Sequence, residues 1–323
     1  MALESGTYVK DLVSTNPPGT DAISQGDDHL RLIKSVLQNS FPSNSNSPII
    51  PDVSGNGGKY LQVNSGATAT QWGTIRNRGY INRSEFNYSS TSAILIGSGS
   101  YEVDNGSAPE TFYWDSQLTF TLGSGGSNAS SSALGTNQWQ YIYMDESAIS
   151  ASPLVAASFL NSTTAPTYSQ SKHGWYNGSD RCIFAVHIDG SGNIEKWYHD
   201  GGNHVEYMND IQDGIVYSTG AWSTVTLTMP VFAKFAEASF LIRTPETVTD
   251  STSFSVRVPS EGSGHIIGIG EAGAELQDDS HVSGNKRIAT NSSKQIEIKG
   301  DDPDPTTTSC TVYTNGFFLP GGI

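Results

Sequence analysis

The apolar and polar positions change period once along this chain. Between Asp21 and Phe41, Leu30, Ile33, Val36, Leu37 and Phe41 recur at helical spacing and form one apolar stripe. Ser24 suits the N-cap, with Asp27 three residues on as the carboxylate of a capping box. Asp27 and Asp28 fall in the first turn, where the helix dipole favours negative charge, and Pro42 stops the helix. An amphipathic helix of about four turns cannot bury its own stripe. The pattern therefore predicts a docking helix, completed by copies of itself or by a partner.

Beyond the helix the period falls to two. Residues 42–79 read as an extended Ser/Asn/Pro-rich linker that ends in a short hairpin. Its strands are Gly58–Val63 and Thr70–Ile75, turned at Asn64–Gly66. An isolated hairpin is marginal in water, so Tyr60, Leu61, Val63, Trp72 and Ile75 need company, which threefold assembly supplies. Residues 80–210 predict a first β domain, with strands at Ser92–Ile96, Thr111–Trp114, Leu118–Leu122, Gln138–Met144, Leu154–Phe159, Arg181–Ile188 and Ile194–His199. Glycine-rich turns such as Gly123–Ser127, Asp189–Asn193 and Asp200–Asn203 separate them. Residues 211–323 predict a second β domain with clean alternation at Thr224–Met229, Ser253–Val258 and Gln295–Lys299. The expected fold is mainly β: a short N-terminal arm (1–23) and helix, then two β-sandwich or jelly-roll-like domains.

Composition supports that reading. Of 323 residues only 15% are charged, while 34 glycines and 14 prolines give a turn-rich chain. The net charge of −15 argues against nucleic acid or an anionic membrane as a direct partner. Cys182 and Cys310 lack zinc or redox spacing and read as small buried strand residues. No basic-then-apolar leader and no apolar run of membrane length is present, so the expectation is a protein made and folded in a cytosol.

Residues 2–42, and QGDDHLRLIK within them most specifically, resemble the virion-anchoring start of tailed-phage tail fibre and related tail proteins. GKYLQVNSGATATQWGTI is similar to a motif of phage fibre shafts, and HGWYNGSDRCIFAVHIDGSGNI resembles a β domain of such proteins. TVTLTMPVFAKFAEASFLIR, QIEIK and TNGFFLP look like a fibre-type C-terminal β-sandwich. The resemblance implies a homotrimeric structural virion protein, a tail appendage assembled in the host cytoplasm, with no active site and no cofactor. Ile23, Asp27, Asp28, His29, Leu30, Ile33, Val36, Leu37 and Phe41 would then form the anchoring or oligomer interface with a tail, baseplate or neck protein. The β domains would face host surface glycan or protein. The linker is short for a long fibre, so a compact appendage fits better. An architectural head, neck or baseplate component without receptor contact is one alternative, and a glycan-degrading tail protein is another.

Chemical motifs are weighed against plain structural roles. Gly268-Ile-Gly-Glu-Ala-Gly273 matches a dinucleotide fingerprint, but the residues after it make no helix, so a glycine-rich β turn is expected. His173, His199 and His204 are conceivable metal ligands, yet Asp200–Asn203 is an ordinary hairpin turn. Asp278–Asp279 and Asp301–Pro305 lack calcium-ligand spacing. Glycan cleavage would need a carboxylate pair from Asp180, Asp189, Glu195, Asp200 and Glu206, and no spacing selects one. Trp175, Tyr176 and Trp197 are the candidate glycan-stacking rings, although core and interface packing is the favoured account of such aromatics.

Overall fold

The structure, a computed structural model, describes residue 7 and residues 26–40, 60–63, 70–73, 81–104, 109–150, 152–244, 252–260, 265–270, 280–300 and 308–323. The chain forms two compact units, 1–77 and 78–323.

In the first unit, helix α1 (Gly26–Ser40) carries Asp27 and Asp28 in its first turn, as the dipole argument requires. Arg31 bridges back to Asp27 at 3.3 Å on a solvated face. The predicted stripe is split. Val36 is buried with His29, while Leu30, Ile33 and Leu37 are 60%, 41% and 45% exposed. Ile23, Ser24 and Phe41 lie outside the described residues. The predicted hairpin is present: β1 (Tyr60–Val63) pairs antiparallel with β2 (Thr70–Gly73), Leu61 opposite Trp72. Ile75 lies outside the described residues.

The second unit is antiparallel β throughout its described strands. It begins with β3 (Ile81–Asn82), β4 (Phe86–Ser90), β5 (Ala93–Ile96), β6 (Gly99–Asp104), β7 (Pro109–Trp114) and β8 (Leu118–Thr121). These build two three-stranded sheets, β3-β6-β7 and β4-β5-β8. A five-stranded sheet follows in the order β10-β9-β13-β12-β11. Its strands are β9 (Gln138–Met144), β10 (Phe159–Ser162), β11 (Thr167–Ser169), β12 (Gly174–Asn177) and β13 (Asp180–Ile188). The strand predicted at Leu154–Phe159 is instead a 3-10 turn, Ala156–Ser158, that leads into β10. Val155 there is 58% exposed, so its apolar character did not mark a buried strand.

The remaining strands are β14 (Trp197–Tyr198), β15 (His204–Tyr217), β16 (Ser223–Thr226), β17 (Phe235–Thr244), β18 (Thr252–Arg257), β19 (His265–Gly270), β20 (Ser280–Ala289), β21 (Gln295–Gly300) and β22 (Ser309–Phe318). They form two sheets, β14-β15-β22-β17-β20 and β16-β21-β18-β19. Phe240, Ile242 and Val312 of one sheet share a core with Val225, Phe254, Val256, Ile296 and Ile298 of the other, in the manner of a β-sandwich. The boundary expected between residues 210 and 211 falls inside β15. Gly268 and Gly270 lie in β19, paired with β18, so these two glycines occupy a strand where a glycine-rich turn was expected. Cys182 and Cys310 are buried in β13 and β22.

Candidate binding surfaces

The β14–β15 hairpin lines a chemically varied concavity of the second unit. Trp197 and Tyr198 are consecutive, so they point to opposite faces of the strand. Trp197 is 4% exposed; its indole N–H donates to Phe86 O at 2.9 Å and Tyr88 packs edge-on against its ring. Tyr198 is 59% exposed and stands opposite Glu206 across the ladder. Glu85, Asn87, Asp200 and His204 complete a pocket of about 310 Å³ around them. The Asn87 amide donates to Glu85 at 2.9 Å, and His204 meets Glu237 at 2.8 Å while stacking on Phe318.

His199 is the hinge of this hairpin. Its Nδ1 accepts the Phe86 N–H at 3.1 Å, so its proton sits on Nε2, which donates to Gly202 O at 3.2 Å. The ring packs at a tilt against both Phe86 and Phe184, which stack on each other at 4.3 Å. Burial lowers the His199 pKa, because the charged form would lose both water and the Phe86 hydrogen bond. Both ring nitrogens are engaged, so this histidine orders the turn and is not poised as a metal ligand. His173, on an exposed turn with φ of 51°, is separate from the pocket residues.

The five candidate carboxylates are not gathered into one site. Asp189 accepts the N–H groups of Ser191 and Asn193, each at 2.8 Å, and Asp200 accepts Gly202 N–H at 2.8 Å. These are the Asx turns that the Asp-Gly sequences call for, and the hydrogen bonds hold both carboxyls below the usual range. Asp180 accepts Glu146 N–H at 2.9 Å, and burial raises its pKa. Only Asp200 and Glu206 share the Tyr198 pocket.

The predicted glycan-stacking set is corrected by burial. Tyr176 is 3% exposed and Trp197 4%, so neither ring offers a face to a ligand. Trp175 is half-buried: its indole N–H donates to Gly321 O at 3.3 Å and it packs against Tyr168 and Phe232. Tyr198, the ring that does face solvent, was not singled out from sequence. The strand parity that places Trp197 inward was the signal available for it.

No family model matches the chain, and no curated protein matches it. Among solved structures, an exo-β-1,3-galactanase from Phanerochaete chrysosporium is similar at 11% identity over 79% of this chain and 74% of that one, with a TM-score of 0.19. The structure of infectious bursal disease virus, Gx strain, is similar at 11% identity over 77% and 76%, with a TM-score of 0.21. Likenesses this weak carry no argument about activity.

Proposed function

We propose that this chain is a structural virion protein, a tail fibre-type appendage that docks through α1 and meets the host surface with its β unit. The observation that carries the reading is the exposed stripe Leu30, Ile33 and Leu37 on a helix whose His29 and Val36 are already buried. Leu30, Ile33 and Leu37 are 60%, 41% and 45% exposed, so covering what remains stabilises association by roughly 1 kcal/mol each, which favours a covered state over a wet one. Copies of the same helix in a trimer, completed by a tail, baseplate or neck protein, supply that cover. The resemblance of QGDDHLRLIK to phage anchoring segments gives the stripe this occupant.

The Tyr198 pocket supports the host-contact half of the reading. An exposed ring beside Asn87, Asp200 and Glu206 offers a stacking face with hydrogen-bonding groups around it, which suits a polyhydroxylated ligand. The role is recognition, without catalysis or cofactor.

Two measurements test the halves separately. Particles carrying a chain deleted for residues 1–41 should lack the protein; incorporation at wild-type copy number would overturn the anchoring claim. Particles carrying Tyr198→Ala should assemble normally and adsorb to the host more slowly. Unchanged adsorption would leave the architectural alternative, a head, neck or baseplate component, as the better reading.

A further inference from the structure

The sequence holds four Asn-Gly pairs, in which the asparagine side chain meets no Cβ on its way to the next backbone nitrogen. Asn56-Gly57 and Asn105-Gly106 lie outside the described residues, while Asn177-Gly178 and Asn315-Gly316 sit in opposite surroundings. Asn177 ends β12, and Gly178 opens the two-residue turn into β13 that sets Asn177 opposite Asp180. Gly178 is exposed with a φ of 64°, and a Cβ added there would meet nothing within 4 Å. Its N–H has no hydrogen-bond acceptor among the described residues. The half-buried Asn177 amide likewise makes no hydrogen bond among them. Asn315 is the contrast. It is 7% exposed and donates to Asp210 at 2.6 Å, and Gly316 is paired with Glu206 of β15 on one side and Glu237 of β17 on the other.

We propose that Asn177 is a modification site that deamidates spontaneously in the folded chain, while Asn315 is protected. The Gly178 nitrogen attacks Asn177 Cγ. The N–Cγ bond forms, the Cγ–Nδ2 bond breaks, and ammonia leaves with the proton that the nitrogen gives up. Water then opens the cyclic imide at one carbonyl or the other, leaving aspartate or isoaspartate; nothing is oxidised or reduced. Ring closure needs rotation about the Asn177–Gly178 junction, which the turn supplies by opening locally, whereas the same step at Asn315 requires β22 to part from both neighbouring strands. The product bears on the fold. It sets a carboxylate opposite Asp180, which accepts the Glu146 N–H at 2.9 Å, and like charges facing across a ladder destabilise it. Isoaspartate also lengthens the β12 main chain by one methylene beside the pairing of Tyr176 with Arg181. The turn therefore registers the age of the chain, and the inference does not depend on the virion reading.

Trypsin cuts after Lys172, Arg181 and Lys299, so peptides 173–181 and 300–323 each carry a single asparagine. The test is incubation of the full chain in mildly alkaline buffer, native and in urea, with both peptides then weighed by mass spectrometry for the exchange of NH2 for OH. In urea the two should convert at similar rates, since both are Asn-Gly pairs in an open chain. In the native chain 173–181 should convert at least about tenfold faster than 300–323, because the turn opens more readily than the sheet. Asn177→Gln, whose longer side chain closes a larger ring more slowly, should leave 173–181 unchanged over the same interval. Native conversion of 173–181 no faster than that of 300–323, or the same mass gain in the Asn177→Gln chain, would overturn the proposal.

Discussion

Two half-buried titratable groups in the second unit oppose each other between pH 4 and 6. His187 on β13 faces Trp139 across the ladder with ring centroids 5.3 Å apart, and its Nδ1 has no hydrogen-bond partner among the described residues. Burial lowers its pKa from 6.5 to about 4, with Asp189 pulling it up and Lys294 pushing it down. Its neutral form is thus favoured by folding. The unfolded chain binds more protons between pH 6.5 and 4, so stability from His187 is fully present above 6.5 and is lost as pH falls through that window. Asp213 has the opposite sign. Burial raises its pKa from 3.8 to about 6, even though Thr314 Oγ1 and both the Oγ1 and N–H of Thr228 donate to it. Its contribution is present below 3.8 and is lost as pH rises to 6.

Taking pH 5 against pH 7, His187 costs about 2 kcal/mol and Asp213 returns about 1 kcal/mol. The native chain should therefore vary by less than either group implies. Urea unfolding at pH 7 and 5 reads this out for the native chain, His187→Gln and Asp213→Asn. Against native, His187→Gln should gain about 2 kcal/mol of relative stability on acidification and Asp213→Asn should lose about 1 kcal/mol. His199 is present in all three chains, so its own acid sensitivity cancels in the differences. Parallel pH profiles for all three chains would refute the assignment of these two groups.

Other perturbations test the packing. The last four residues are held by their carbonyls: Arg83 reaches Pro320 O at 2.7 Å and Ile323 O at 2.6 Å, Trp175 reaches Gly321 O, and the buried Arg181 reaches Gly322 O at 3.3 Å. Deleting residues 320–323 also removes the fully buried Ile323, so a loss above about 3 kcal/mol is expected from the urea midpoint, and a loss under about 1 kcal/mol would contradict it. Gly316→Ala would set a Cβ 2.3 Å from Val205 O, a backbone atom that cannot step aside; at least about 2 kcal/mol of destabilisation should follow in thermal unfolding. Leu30→Ser, Ile33→Ser and Leu37→Ser together should lower the native mass seen by sedimentation while leaving β-sheet circular dichroism unchanged.

What the sequence shows and hides follows from where side chains point. β18 and β21 lie within one residue of their predicted bounds, because alternation with one wet face is written into the residues themselves. β9 has its predicted bounds although it is buried along most of its length, because its QWQYIYM run is rich in the aromatic and β-branched residues that suit strands. β15 was hidden because its alternation slips. Val205 and Tyr207 are buried at odd positions and Val216 at an even one, with register breaks between Glu206 and Ile211 and between Gln212 and Gly214. Such a break moves the buried set to the other parity. β22 was hidden for another reason. It lies between β15 and β17 and is buried along most of its length, so SCTVYTNGFF shows no wet face to alternate with. The anchor stripe was legible as apolar, but which of its members stay exposed depends on neighbours that periodicity does not name.

The same long-range contacts decide whether 80–210 and 211–323 can stand apart. Cutting at residue 210 divides β15 and removes the pairing of His204, Val205 and Glu206 with Phe318, Phe317 and Gly316. Phe317 would also lose Trp139, packed edge-on at 5.6 Å, and Tyr207 at 6.1 Å. Phe232 would lose Tyr141 and Trp175, both at 5.9 Å. Uncovering two phenylalanines to this degree approaches the cost of truncating them, about 3–5 kcal/mol each, which is comparable with the whole stability of a small domain. Fragment 211–323 should therefore lack the near-UV circular dichroism of fixed aromatics, whereas the full chain should show coincident tryptophan-fluorescence and far-UV transitions. A fragment that unfolds cooperatively with a native near-UV spectrum would mean that these aromatic contacts join two self-sufficient domains.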